Sequence, residues 1–143
     1  MNLLKIGKEL VAIDSSATVM GALQEMEKSK VGAILIIDGD QLNGVFTERD
    51  LMMRVVLQNK NPESTRVTDV MTSPVLTIAK DKAPDDVLKL MQEKHIRHLP
   101  LVNGEGYVEG MISIRHLLTE KVAHLTQELD SLEAYISADG IGG

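Results

Sequence analysis

An α+β fold, built from two copies of a βαββα unit packed sheet on sheet and closed by a long C-terminal helix, follows from three features of the sequence. Strand-period and helix-period apolar runs alternate in the same order twice. Leu88 and Met91 stand 65 residues after Leu23 and Met26, and one insertion later Gly110, Arg115 and Leu117 stand 66 after Gly44, Arg49 and Leu51. Each copy also ends on the same kind of junction, Gly44-Val45-Phe46-Thr47-Glu48-Arg49-Asp50 and Gly110-Met111-Ile112-Ser113-Ile114-Arg115-His116.

Leu10 to Ile13 reads as a short strand, followed by turn and N-cap chemistry at Asp14-Ser15-Ser16. Val19, Ala22, Leu23 and Met26 recur at helical spacing up to Lys28. Ala33 to Ile37 is a buried strand, Asp38-Gly39-Asp40 a hairpin turn and Leu42 to Phe46 the return strand. A helix then runs from Glu48 to Gln58. The polar segment 59–66 is the linker, and Val67 to Met71 suggests one helical turn.

The second unit repeats this order. Val75 to Ile78 is its first strand, and Pro84-Asp85-Asp86 opens a helix with proline and acids in the first turn. Leu99 to Val102 is the next strand, turning at Asn103-Gly104-Glu105-Gly106. Each crossover is expected to be right-handed, which gives a three-stranded sheet with its helices on one face. A unit this small buries too little alone, so the two should share a core. The repeats span 1–58 and 67–120, with a helical extension over 121–137 and a flexible tail at 138–143. On that extension Leu118, Val122, Leu125, Leu129, Leu132 and Ile136 form a heptad stripe of under three heptads. Its length favours packing against a second subunit or across its own domain over a free-standing coiled coil.

Bulk composition narrows the function. A net charge of −6 with no basic block argues against nucleic acid as a partner. The three aromatics, Phe46, Tyr107 and Tyr135, are too few for a base-stacking platform. There is no cysteine, hence no disulfide, thiolate nucleophile or cysteine zinc site. The N-terminus lacks a secretory apolar core, and no apolar run approaches a membrane span, so a cytoplasmic protein is expected. No phosphate-binding Gly-Lys loop, nucleophilic elbow or carboxylate cluster marks an enzyme.

The junction itself carries chemistry. A Thr before a helix with an acid three residues on is a capping-box variant, and Thr47 and Asp50 fit it. The same carboxylate could accept two hydrogen bonds from a vicinal diol, beside a helix N-terminus that attracts phosphate. Metal binding is disfavoured: on a strand His95 and His98 would face opposite ways, and His116 and His124 lie about 12 Å apart along a helix. The methionines, Met71 among them, read mainly as core filler.

The duplicated βαββα unit, the Gly-apolar-apolar-Thr/Ser-x-x-Asp motif and the string Ile96-Arg97-His98-Leu99-Pro100-Leu101-Val102 resemble a tandem pair of cystathionine-β-synthase (CBS) domains over residues 3–120. The tail Leu132-Glu133-Ala134-Tyr135-Ile136 is similar to those of small stand-alone members. The resemblance implies a regulatory binding module with two clefts between the repeats, taking AMP, ADP, ATP, S-adenosylmethionine or NAD. It implies that Asp50, with Thr47, holds ribose hydroxyls. It places Thr72, Ser73, Pro74 and Val75 at the adenine, and Ile96, Arg97 and His98 on the same cleft, with Arg97 towards phosphate. Arg49, Ser113, Arg115 and His116 complete the nucleotide-binding candidates. On their own terms, Arg49 and Arg54 read as solvated helix charges, Arg97 as an exposed strand-end charge and Arg115 as a first-turn residue paired with Glu120 or an opposing acid.

Three departures weaken the second cleft. His116 replaces the second Asp, Gly7-Lys8-Glu9 stands for Thr72-Ser73-Pro74, and Gly32-Ala33 stands for Arg97-His98, so that one cleft is expected to have the ribose and adenine residues and the other mainly Arg97 and His98. One nucleotide per chain, AMP or ATP, is expected, in a homodimer that reports to a separate effector protein. The rival reading is a ligand-free interaction module that works through the helix stripe. A third is a slow nucleotide hydrolase.

Overall fold

The computed structural model describes residues 3–7 and 10–138. Its elements run α1 (Leu3–Ile6), β1 (Ala12–Ile13), α2 (Val19–Ser29), β2 (Ala33–Asp38), β3 (Gln41–Thr47), α3 (Glu48–Asp50), β4 (Ile78–Ala79), α4 (Pro84–Lys94), β5 (His98–Val102), β6 (Val108–Ser113) and α5 (Ile114–Ala138). A π-helical stretch, Leu51–Val56, continues α3, and a 3₁₀ turn, Val67–Asp69, opens the second repeat.

Two three-stranded sheets result, β1-β2-β3 and β4-β5-β6. In each the first pair is parallel and the second antiparallel. The duplication extends to irregularities. Register slips at Ile36/Ile37 and at Leu101/Val102, and α2 and α4 both end on left-handed residues, Lys30 (φ 56°) and His95 (φ 55°). These are the same positions at the 65-residue offset.

Alternation along the strands explains the layers. Ile34, Ile36 and Phe46 face α2, where Val19, Ala22 and Met26 return at helical spacing to close the first core. Leu99, Leu101 and Ile112 meet Val87 and Met91 of α4 in the second core. The opposite faces carry Ala33, Leu35 and Met111, which pack together with Val45 and Val108 between the sheets. This is the sheet-on-sheet arrangement, and it leaves the β3–α3 and β5 ends at one rim.

Each repeat lends its opening segment to the other. Leu3 of α1 is fully buried in the second core, whereas Val67 and Val70 are buried in the first. The α1 helix has no counterpart in the sequence reading, and Gly7 ends it where a Cβ would stand 2.6 Å from the Met111 carbonyl oxygen. The exchange also corrects the strand at Val75 to Ile78. Thr72 bridges to Val45 of the other sheet, Pro74 has no N–H, and pairing with β5 begins only at Ile78. β1 is shortened likewise, to Ala12–Ile13.

Smaller differences follow from local chemistry. Asp14 makes a turn by accepting the Ser16 amide at 2.8 Å, while Thr18 is the N-cap and accepts the Gly21 amide at 3.1 Å. The helix expected from Glu48 is α-helical for one turn and then π-helical. α5 is bound at Leu117, but beyond it Leu118, Val122, Leu125, Leu129, Leu132 and Ile136 are 38–63% exposed. The stripe is therefore largely uncovered by the described residues, except on the α4 side, where Lys121 meets Asp85 at 3.2 Å and Leu125 borders a cavity shared with Pro84 and Leu88. Of the tail expected over 138–143, Ala138 still belongs to α5, and residues 139–143, like Lys8 and Glu9, lie outside the described residues.

Candidate functional site

The β3–α3 junction holds a capping box: the Thr47 hydroxyl accepts the Asp50 amide at 3.2 Å, and the Asp50 carboxylate accepts the Thr47 amide at 3.0 Å. Asp50 is the one charged side chain among the described residues that is buried, at 6% exposure. Burial of a carboxylate demands donors, and it has them. Oδ2 also takes the Thr47 hydroxyl at 3.2 Å, and Oδ1 takes the Thr72 hydroxyl at 3.0 Å.

Arg54 is not a solvated helix charge. One turn after Asp50 it places Nε 3.7 Å from Oδ1 and donates Nη1 to the Met71 carbonyl at 2.7 Å. It thereby ties the first repeat to the strap that enters the second. The spacing Asp50–Arg54 was a usable signal, because residues four apart share a helix face. Gly44 lets that strap lie close, since a Cβ there would stand 2.3 Å from Met71 Sδ and 3.0 Å from the Thr72 carbonyl oxygen. Met71 is thus a packing residue against the first core.

Around Asp50 opens a cleft of about 720 Å³, walled by both repeats. It gathers Thr47, Arg49 and Asp50 from the junction, Thr72, Pro74 and Val75 from the strap, and Ile96, Arg97 and His98 from the end of the α4–β5 connection and the start of β5, so Arg97 and His98 belong to this cleft and not mainly to the other. Glu48, Met53, Arg54 and His95, absent from the expected set, line it too. Ser73 is exposed and donates to the Asn43 carbonyl at 2.8 Å. Ser113, Arg115 and His116 sit at the β6–α5 junction, outside this lining.

Two expectations about the β5 approach need correction. β5 begins at His98, so Ile96 and Arg97 belong to the connection, and His95 caps α4 instead of lying on a strand. The His95 and His98 pair is therefore not separated by strand alternation. Among the described residues, no three His, Asp or Glu side chains converge as metal ligands. Nor does an ion pair join Arg115 to Glu120 among them.

At the second junction the Ser113 hydroxyl accepts the His116 amide at 3.2 Å, and His116 Nδ1 accepts the Ser113 amide at 3.1 Å. An imidazole has replaced the carboxylate in the same reciprocal cap. The substitution keeps the helix start and removes the anionic acceptor.

Burial pushes the His98 imidazole below its ordinary pKa of 6.5; Glu48 opposes the shift, while His116 and Arg97 add to it. The folded state then binds fewer protons than the unfolded state below 6.5. Stability is full above that pH and falls with acidification until the folded-state pKa is passed. His98→Gln is expected to flatten the loss of Tm between pH 7.5 and 5.5; an unchanged slope would assign the acid sensitivity elsewhere.

The fold and the paired junctions define a tandem-repeat module, and the comparisons identify it. The family model for the CBS domain matches residues 6–57 and 67–123, and the chain belongs to that family. It is 33% identical over 124 residues to a mitochondrial CBS-domain protein of Arabidopsis thaliana, covering 83% of this chain and 60% of that one. A Methanopyrus kandleri protein is 29% identical over 130 residues, 88% of this chain and 66% of that one. The chain thus spans less than two thirds of the length of either relative. A CBS-domain structure from Burkholderia ambifaria superposes with TM-score 0.80 at 32% identity, covering 86% and 95% of the two chains. One from Pyrobaculum aerophilum, complexed with AMP, gives 0.74 at 22% identity and 86% and 99% coverage, a likeness of fold alone.

Proposed function

We propose that this cleft binds an adenine nucleotide and that the protein is a regulatory module and not an enzyme. The observation that carries the reading is the buried Asp50 carboxylate in the wall of a cleft fringed by Arg49, Arg54 and Arg97. A hydroxyl-bearing anion matches both parts: Asp50 and Thr47 for the ribose, the arginines and His98 for phosphate. Thr72, Pro74 and Val75 offer the edge against which adenine lies. The His116 junction lacks the carboxylate, so one strong site per chain is the proposal, with AMP or ATP as ligand and S-adenosylmethionine or NAD as alternatives. The AMP held by the Pyrobaculum neighbour supports the choice of panel. Addition of the right compound at a hundredfold excess over its Kd should raise Tm by about 5–10 °C. A flat panel rejects the proposal.

The reporting surface is the second part of the reading. Among the described residues no helix is long and apolar enough to cross a membrane. We place the protein in the cytoplasm, although the Arabidopsis relative is mitochondrial. Repeats 1–58 and 67–120 form the sensor and 121–137 the output helix, which pairs with a second copy and presents the dimer to an effector protein. Six exposed apolar side chains on one face of α5 support this. Leu125→Glu with Leu129→Glu should convert dimer to monomer in light scattering. Persistence of the dimer would move the interface elsewhere. The same stripe supports the rival, a ligand-free interaction module, and dimerisation with no Tm response to any nucleotide would favour it.

A further inference from the structure

Three of the acceptor sites that a ligand diol could use on Asp50 are taken by the protein's own donors, and the fourth faces Arg54. A carboxylate offers about four lone-pair sites. Here Oδ2 takes the amide and hydroxyl of Thr47, and Oδ1 takes the Thr72 hydroxyl at 3.0 Å with Arg54 Nε 3.7 Å away. Among the described residues no fully buried side-chain nitrogen or oxygen lacks a partner, so the Asp50 carboxylate is paired within the chain.

These donors differ in how easily they yield. The Thr47 contacts start α3, and releasing them would undo a helix terminus. Arg54 is anchored at its other end on the Met71 carbonyl. The Thr72 hydroxyl hangs from a backbone fixed on both sides of its peptide plane: its amide donates to Val45 at 2.8 Å, and its carbonyl accepts from Val45 at 3.0 Å. A single χ1 rotation frees that hydroxyl without moving the chain.

We propose that the Thr72 hydroxyl is an internal surrogate for a ligand hydroxyl. It fills the Asp50 acceptor when the cleft is empty and turns away when a ribose arrives. The inference rests on the cleft reading above and adds its regulation: affinity is set by a competition between a protein hydroxyl and a ligand hydroxyl for one carboxylate oxygen. The bound state gains less than the ligand contacts alone would give, because each binding event breaks the Thr72–Asp50 bond. In exchange, the empty protein carries no unpaired buried charge.

Thr72→Val keeps the side-chain shape and removes the hydroxyl. It is expected to bind AMP about tenfold more tightly than wild type, the worth of one hydrogen bond to a charged group no longer broken. 2′,3′-Dideoxy-AMP, which has no diol to offer, should show no such gain in the variant. Thr72→Ser, which keeps the donor, should match wild type for both, and Thr72→Ala should repeat the gain should Val disturb folding. Unchanged or weaker AMP binding by the Val and Ala variants overturns the proposal, and so does an equal gain for the dideoxy compound. Wild-type protein silent to AMP and to the wider nucleotide panel would instead sink the cleft reading and the proposal with it.

Discussion

Asp50→Ala is expected to weaken adenine-nucleotide binding at least tenfold, because the substitution removes the carboxylate oxygen that the ribose engages. A hydrogen bond to a charged group is worth about 1.5–3 kcal/mol. The same change empties the capping box and strands the Thr72 hydroxyl, so the folded state should lose about 1–2 kcal/mol as well. The two effects separate by measurement. Circular dichroism reports the stability loss, and equilibrium dialysis with the folded variant reports affinity. Asp50→Asn, which retains one acceptor oxygen, should fall between. Wild-type affinity in a folded Asp50→Ala protein would remove the carboxylate from the site.

Phe46→Ala carries the largest expected cost in stability. Phe46 is fully buried opposite Ile34 and packs with Val19, Met26, Val55 and Val67. It shares one core with α2, the π-helical stretch and the lent 3₁₀ turn. Truncation of a buried Phe typically costs about 3–5 kcal/mol. For a chain of this length that is a fall in Tm on the order of 10 °C. Thr47 is the next residue along β3, so ligand affinity should weaken with it. A loss below about 1 kcal/mol would show that the first core is not organised on this ring.

How far the sequence reached depends on the range of each interaction. The duplicated unit was legible because periodicity and turns are local. The 65-residue offset that aligns Leu23 with Leu88 also aligns the left-handed caps at Lys30 and His95. The Thr47–Asp50 box was legible for the same reason, as a three-residue pattern. What escaped depends on distant partners. A four-residue helix at Leu3–Ile6 has no propensity to announce it and exists by burying Leu3 in the second repeat. The strand at Val75 was lost because Thr72 pairs with Val45 some thirty residues earlier. Arg54 looked like a surface charge until the Met71 carbonyl came within 2.7 Å. The donor on Oδ1 of Asp50 likewise comes from 22 positions along the chain, a distance no local motif encodes.

The central claim, that the cleft around Asp50 is a nucleotide site, meets its most direct test in calorimetric titration of AMP, ADP, ATP, S-adenosylmethionine and NAD into the wild-type protein. The account predicts saturable heat from at least one of them at one ligand per chain, because one junction holds a carboxylate and the other a histidine. Absence of heat from all five, or two equal sites per chain, would contradict it.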